Sequence, residues 1–283
     1  MSVAVLGVVV VLLVLITLMF VPLKAAPEVG LRSAGLWRWA GVGVGLVAGG
    51  VVAWTLGPDR GLLLAAPVFS LGVVLGVVLG ELRTPRPAGP VRRAAVETRS
   101  AANYLPRRLA ASVAVAGIVE LALLLWTTSV ASADSLGRAG RALSRTCGDM
   151  TATKSPWPGS FYSVPLGIAV VLGLLSAAVG IRRVVGRPRP VDAAGELVAD
   201  DHARRLSATA ITGACGVLIT VPLLGTTFVA IMTLTTMQCV PTSWQSIGWA
   251  LLVPAAGGLA LLVWSATAVL QPSGQPHVQR TSV

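Results

Sequence analysis

The sequence predicts an all-α integral membrane protein, threaded through the bilayer as seven helices with its N-terminus outside and its C-terminus inside. Three observations carry that expectation. Long stretches lack any charged side chain, the charges gather in the connections between them, and Lys and Arg favour alternate connections. Of the 283 residues 54% are hydrophobic and only 12% are charged, about half of the roughly 25% usual in soluble domains. The mean hydropathy is +0.80. An α-helix needs about 20 apolar residues to cross a hydrocarbon core of roughly 30 Å, and stretches of that kind recur along the whole chain.

The first span is expected at residues 2–23, which contain no Asp, Glu, Lys or Arg. A secretory signal peptide starts with a basic segment and has a shorter apolar run. Here the first basic residue, Lys24, follows the run, so an uncleaved helix is expected. The second and third spans, 39–57 and 61–80, are separated by little more than Pro58, Asp59 and Arg60. Gly41, Gly45 and Gly49 recur at intervals of four in the second, and Gly72, Gly76 and Gly80 do so in the third. Residues four apart share a helix face, and glycine there lets another backbone approach closely. A tight antiparallel hairpin follows; a seam between two copies is the other use of such a face. The fourth span is expected at 109–131 and the fifth at 163–181. Beyond Arg205 no charged residue occurs until Arg280, and the stretch divides at 238–246, "QCVPTSWQS". That division defines a sixth span at 207–237 and a seventh at 247–270. Residues 1–270 thus form one polytopic transmembrane domain, and 271–283 a short cytoplasmic tail. Pro67, Pro165, Pro222 and Pro254 fall in or at the ends of spans, where they kink helices or free backbone carbonyls.

Basic residues orient the chain. Lys24, Arg32 and Arg38 follow span one, a dense group from Arg83 to Arg108 follows span three, and Arg182 to Arg205 follow span five. The alternate connections hold only Arg60, Arg138, Arg141, Arg145 and Lys154. Cytoplasmic connections carry the excess of Lys and Arg, which places the first set inside. This also accounts for the net charge of +11 without a nucleic-acid partner: the basic loop 83–108 has Tyr104 as its only aromatic residue, and its arginines suit anionic lipid headgroups. Arg in place of Lys, with abundant Ala, Gly and Val, points to the plasma (inner) membrane of a high-GC bacterium.

Two stretches resemble each other. "VVLG" occurs at 73–76 and 170–173, "PRP" at 85–87 and 188–190, and "RRLAAS" at 107–112 matches "RRLSAT" at 204–209. Spans 3–4 and 5–6 therefore read as a parallel repeat of one two-helix hairpin, a device met in transporters. Each copy leads to an outer connection with one cysteine, Cys147 and Cys239. On the oxidising side of the membrane these are expected to form a disulfide. Cys215, within span six, is expected to pack as a small apolar residue.

Glu120 is the sole acidic or basic side chain well inside an expected span. An ionisable group there marks a pathway, a proton site or a partner contact; a structural role, hydrogen-bonding across helices, is the alternative. No Lys or Arg within a span is available to it, which leaves Thr127, Thr128, Thr220, Thr226 and Thr227 as polar neighbours. A second candidate is the stripe Asp192, Glu196, Asp200 and Arg204 at helical steps of four. Carboxylates so spaced can hold Mg²⁺ against a phosphate; the alternative is a solvated helix with Asp200 and Arg204 as a surface pair. Trp157, Phe161 and Tyr162 suit an interfacial aromatic belt. No phosphate-binding glycine loop or HExxH motif occurs, so nucleotide hydrolysis and zinc proteolysis are excluded. The function expected is that of a small-molecule transporter or permease-like protein, or of a non-catalytic membrane partner subunit that meets another membrane protein or its own copy. No cofactor is expected in either case. An enzyme acting on a phosphorylated or lipid-linked substrate at the cytoplasmic face, with Mg²⁺, is the alternative.

Overall fold

The computed structural model describes residues 29–83, 101–186 and 194–271. Helix α1 covers Val29–Thr55, α2 Gly57–Arg83 and α3 Arg107–Ser129. A β-hairpin follows, β1 at Leu143–Cys147 and β2 at Met150–Lys154. The chain continues as α4, Ser160–Val185, α5, Ala194–Thr236, α6, Thr242–Ala250, and α7, Leu252–Leu270. Among the described residues six helical segments are long and apolar enough to cross a membrane, α6 and α7 together making the last. The expected span 2–23 and the residues 272–283 of the tail lie outside the described residues.

Apolar side chains lie on all faces of these helices, as expected where the surroundings are protein on one side and lipid on the other. The core runs along α5, whose apolar stretch is 72% buried, against 28% for α3 and for α4. Val74, Val77, Val184, Ile211 and Leu218 form one buried cluster around it, and Leu109, Val113, Leu223 and Leu261 another. One end of the bundle gathers the start of α1, the end of α2 and the first half of α5, joined through Arg38, Glu81 and Ser207. The opposite end carries the β-hairpin.

Several helices run past the expected boundaries. α1 takes in Arg38, α2 takes in Glu81, and α5 begins at Ala194. Charge was read as the edge of a span, but these charges are paired with one another and so need no water. The last span is broken at Leu251 rather than straight. Pro254 has no N–H to donate to the carbonyl of Ala250, which interrupts the hydrogen-bond ladder there.

The β-hairpin was not expected. Leu143 pairs with Lys154 and Cys147 with Met150 in an antiparallel register. The two-residue turn needs positive φ at its first position, and Gly148 supplies φ 60°. Hydroxyl pairs cross the strands on one face, Ser144 with Thr153 at 2.8 Å and Thr146 with Thr151 at 3.1 Å. Lys154 ties the hairpin to α5 by donating to the Met232 carbonyl at 3.3 Å and to the Thr236 hydroxyl.

Trp157 departs from the expected aromatic belt. It is fully buried, and its indole N–H donates to the Thr127 carbonyl at 2.8 Å. It packs with Trp126 and with Leu143, Ala230 and Leu234 beneath the hairpin. A belt residue leaves its polar edge in water; this one satisfies it inside the protein.

A carboxylate in the cleft between two helices

α1 and α2 meet backbone to backbone. A Cβ placed on Gly41 would lie 2.6 Å from Gly76 Cα and 2.7 Å from Gly72 O, and one on Gly45 would lie 2.6 Å from Phe69 O. Gly49 faces Ala65 O. The expected glycine faces therefore abut within one chain. Gly80 is buried near the end of the same helix.

This register brings together two charged residues that sequence reasoning had left outside the spans. Arg38 donates to Glu81 Oε1 at 3.3 Å and to the Val269 carbonyl at 3.5 Å, while Ser207 donates to Glu81 Oε2 at 2.7 Å. The pair is buried, with side-chain exposures of 7% and 1%. A signal was present in the sequence. An antiparallel hairpin that faces Gly41 with Gly76 and Gly45 with Gly72 must set Arg38 within a turn of Glu81.

Glu120 lies on α3 and is 5% exposed. Its Oε2 accepts from the Thr226 hydroxyl on α5 at 2.9 Å. That hydroxyl also lies 3.1 Å from the carbonyls of Pro222 and Leu223, so its single proton has three acceptors in reach. Glu120 Oε1 is buried and accepts no hydrogen bond. Of the threonines named as neighbours, Thr226 alone is hydrogen-bonded to it among the described residues.

The glutamate lines a cleft of about 620 Å³ between α3 and α4, which scarcely touch along their length. Ile211, Cys215 and Ile219 of α5 form its floor. Ile118, Leu121, Val171 and Leu174 line it and are also widely exposed on the outside of the bundle. The cleft therefore opens sideways. Its lining holds no aromatic side chain, and Glu120 is its one ionisable carboxylate. A second groove of about 530 Å³, on the other flank of α3 against α7, has no ionisable side chain.

Of the acidic stripe, the expected Asp200–Arg204 pair forms, but Arg204 is buried rather than at the surface. Asp192 lies outside the described residues, and Glu196 falls in the first turn of α5 without a described side chain. Asp200 accepts from Arg204 Nε at 2.8 Å. Arg204 is not a surface residue: it is fully buried and donates to the carbonyls of Val184 and Val185 at 2.8 and 3.1 Å, closing the C-terminal turn of α4. Among the described residues no three His, Cys, Asp or Glu side chains gather as a metal site.

Cys147 and Cys239 stand at disulfide distance, with Cα atoms 5.5 Å apart, and link the hairpin to the end of α5. Cys215 is partly buried and lines the cleft. No family model matches the chain, and no curated protein or solved structure is significantly similar to it.

Proposed function

We propose that the chain is a multi-pass plasma-membrane protein of the permease-like kind, which admits a small molecule from the bilayer into the cleft between α3 and α4 and holds it at Glu120. The observation that carries this reading is Glu120 itself, a buried mid-helix residue that lines a cleft opening toward lipid and whose Oε1 has no hydrogen-bond partner. A polar atom stripped of water without a partner costs about 1–3 kcal/mol or more. Proteins keep such atoms where a ligand or proton completes them. The size of the cleft lies within the roughly 300–1,000 Å³ typical of small-molecule sites.

Threading follows from charge. The end carrying Arg83, Arg107, Arg182 and Arg205 faces the cytoplasm, and the β-hairpin faces the oxidising side, where Cys147 and Cys239 form their disulfide. Residues 2–23 add a seventh span that starts outside. The hairpins α2–α3 and α4–α5 are the two copies of the repeat: both run in the same direction, and each leads to one of the two cysteines.

The test is the reaction of the protein in lipid vesicles with dicyclohexylcarbodiimide, an apolar reagent for carboxyl groups away from water. The carboxyl oxygen adds to the carbodiimide carbon, its proton passes to nitrogen, and the acyl group migrates to leave a stable acylurea with no atom lost. Peptide mass analysis should find the adduct on Glu120 and not on Glu81, which Arg38 and Ser207 occupy. An unmodified Glu120 means that the cleft is closed by packing or by a partner helix, and the ligand-binding reading fails.

A further inference from the structure

We infer that the cleft between α3 and α4 receives a cationic amphiphile, an alkyl chain ending in a protonated amine, which enters sideways from the bilayer and sets its N–H against Glu120 Oε1. The inference rests on the permease-like reading above and adds the class of ligand.

Three features select that class. The acceptor is a single carboxylate oxygen with no partner, so the ligand must bring a donor. A carboxylate out of water is best balanced by a group of opposite charge that also donates a hydrogen bond. A neutral alcohol supplies only the second part, and a fatty acid adds a repelling charge. The rest of the lining is mostly aliphatic, with Val113, Val170, Leu174, Ile211 and Ile219 along its length; Cys215 adds a thiol, and the hydroxyl of Thr212 is already spent on the Ala208 carbonyl. Such walls suit an alkyl chain. They offer no aromatic face on which a cation could rest, so recognition of the charge falls to Glu120. The mouth between Ile118 and Leu121 on α3 and Val171 and Leu174 on α4 is rimmed by exposed apolar side chains. A ligand dissolved in the bilayer reaches it without crossing water.

Carbodiimide modification of Glu120 also serves to test this inference. The protein is held in phosphatidylcholine nanodiscs, and four additives of equal chain length are compared: N,N-dimethyldodecylamine, dodecyltrimethylammonium, dodecanol and dodecanoic acid. The tertiary amine carries a proton to donate and cannot itself capture the activated carboxyl as an amide. The quaternary ion has the same charge and no N–H. The expected result is that the tertiary amine halves the rate of modification at a concentration roughly tenfold lower than any of the other three, as suits a charge-assisted hydrogen bond. Ala114→Phe, which narrows the mouth from α3, should slow the modification and abolish the difference between additives. Equal protection by all four, or protection by the quaternary ion as strong as by the tertiary amine, overturns the inference while leaving the cleft as a binding site. Unchanged selectivity in Ala114→Phe overturns it as well, because the amine would then act elsewhere. Failure of Glu120 to react without any additive is a different result and sinks the underlying reading.

Discussion

The hairpin α1–α2 and the pair α3–α4 are both antiparallel and both carry one buried glutamate, yet only the first is closed. Leu56 alone separates α1 from α2, and glycines stand opposite each other at successive levels, so the two backbones touch. α3 and α4 are joined instead through the β-hairpin and tied near it by a 2.9 Å hydrogen bond between Thr128 and Ser163. Below that tie the two helices scarcely touch and leave the cleft between them. The two glutamates differ in the same way. Glu81 has a guanidinium and a hydroxyl on its two oxygens, while Glu120 has one shared hydroxyl. The lesson is that α5 supplies one hydroxyl to each carboxylate, and the second oxygen is satisfied where the paired helix packs close enough to bring a donor, here Arg38 of α1, and is left without one where the helices diverge.

The largest test of this contrast compares the two acids directly. Glu81→Ala strands Arg38 in the interior and should cost about 3–5 kcal/mol, whereas replacing Arg38 and Glu81 together by Met and Leu should restore much of that loss. Glu120→Ala should cost only about 1–2 kcal/mol, because the Thr226 hydroxyl keeps its carbonyl acceptors. Thermal unfolding in one detergent measures all three, and equal losses at Glu81 and Glu120 would break the comparison. Next in size are the helix contacts. Gly41→Leu drives a side chain into the α2 backbone and should cost about 3 kcal/mol, while Ala114→Leu, at the open cleft, should stay within about 0.5 kcal/mol. A tolerated Gly41→Leu would mean that the seam is not closed.

The smallest expected effect lies in the connection that joins α3 to the β-hairpin. Asp134 accepts from the backbone N–H groups of Leu136 and Arg138 at 3.0 and 2.9 Å and from Arg138 Nε at 2.7 Å. Burial pushes its carboxyl up, but these hydrogen bonds and the Arg138 charge outweigh it and hold the group below the usual carboxylate range. A folded-state value below the unfolded one means full stabilisation above the ordinary carboxylate range and loss as pH falls through the folded value. The unfolding midpoint of the native protein should therefore drop in acid more than that of Asp134→Asn. Identical acid profiles would remove Asp134 from the account of how the ends of α3 and α4 are held.

Much of the helical scaffold was legible residue by residue. The runs around Gly41–Gly49 and Gly72–Gly80 announced a close hairpin, because a bare backbone surface at steps of four has few other uses. Glu120 stood out for its isolation, and Thr226 was among the neighbours named for it. Arg38 and Glu81 were missed as a pair, since charge at the edge of an apolar run normally marks water. Trp157 was misplaced for a related reason: an aromatic residue near a span end suits the interface unless another element covers it. The β-hairpin announced itself weakly, through alternating Thr and Ser around Gly148-Asp149, in a stretch too polar to stand out against its flanking helices.

Apolar length and the placement of arginine, by themselves, determined that this chain forms long lipid-compatible helices. Those properties belong to single segments, and the cost of exposing a backbone or a charge to hydrocarbon is paid locally. The tertiary structure alone decided that Glu81 is sealed and Glu120 is open, that Arg204 closes α4 from within, and that Trp157 lies inside. Each of those outcomes depends on which distant residue arrives at hydrogen-bond distance, and the packing of helices against one another sets that.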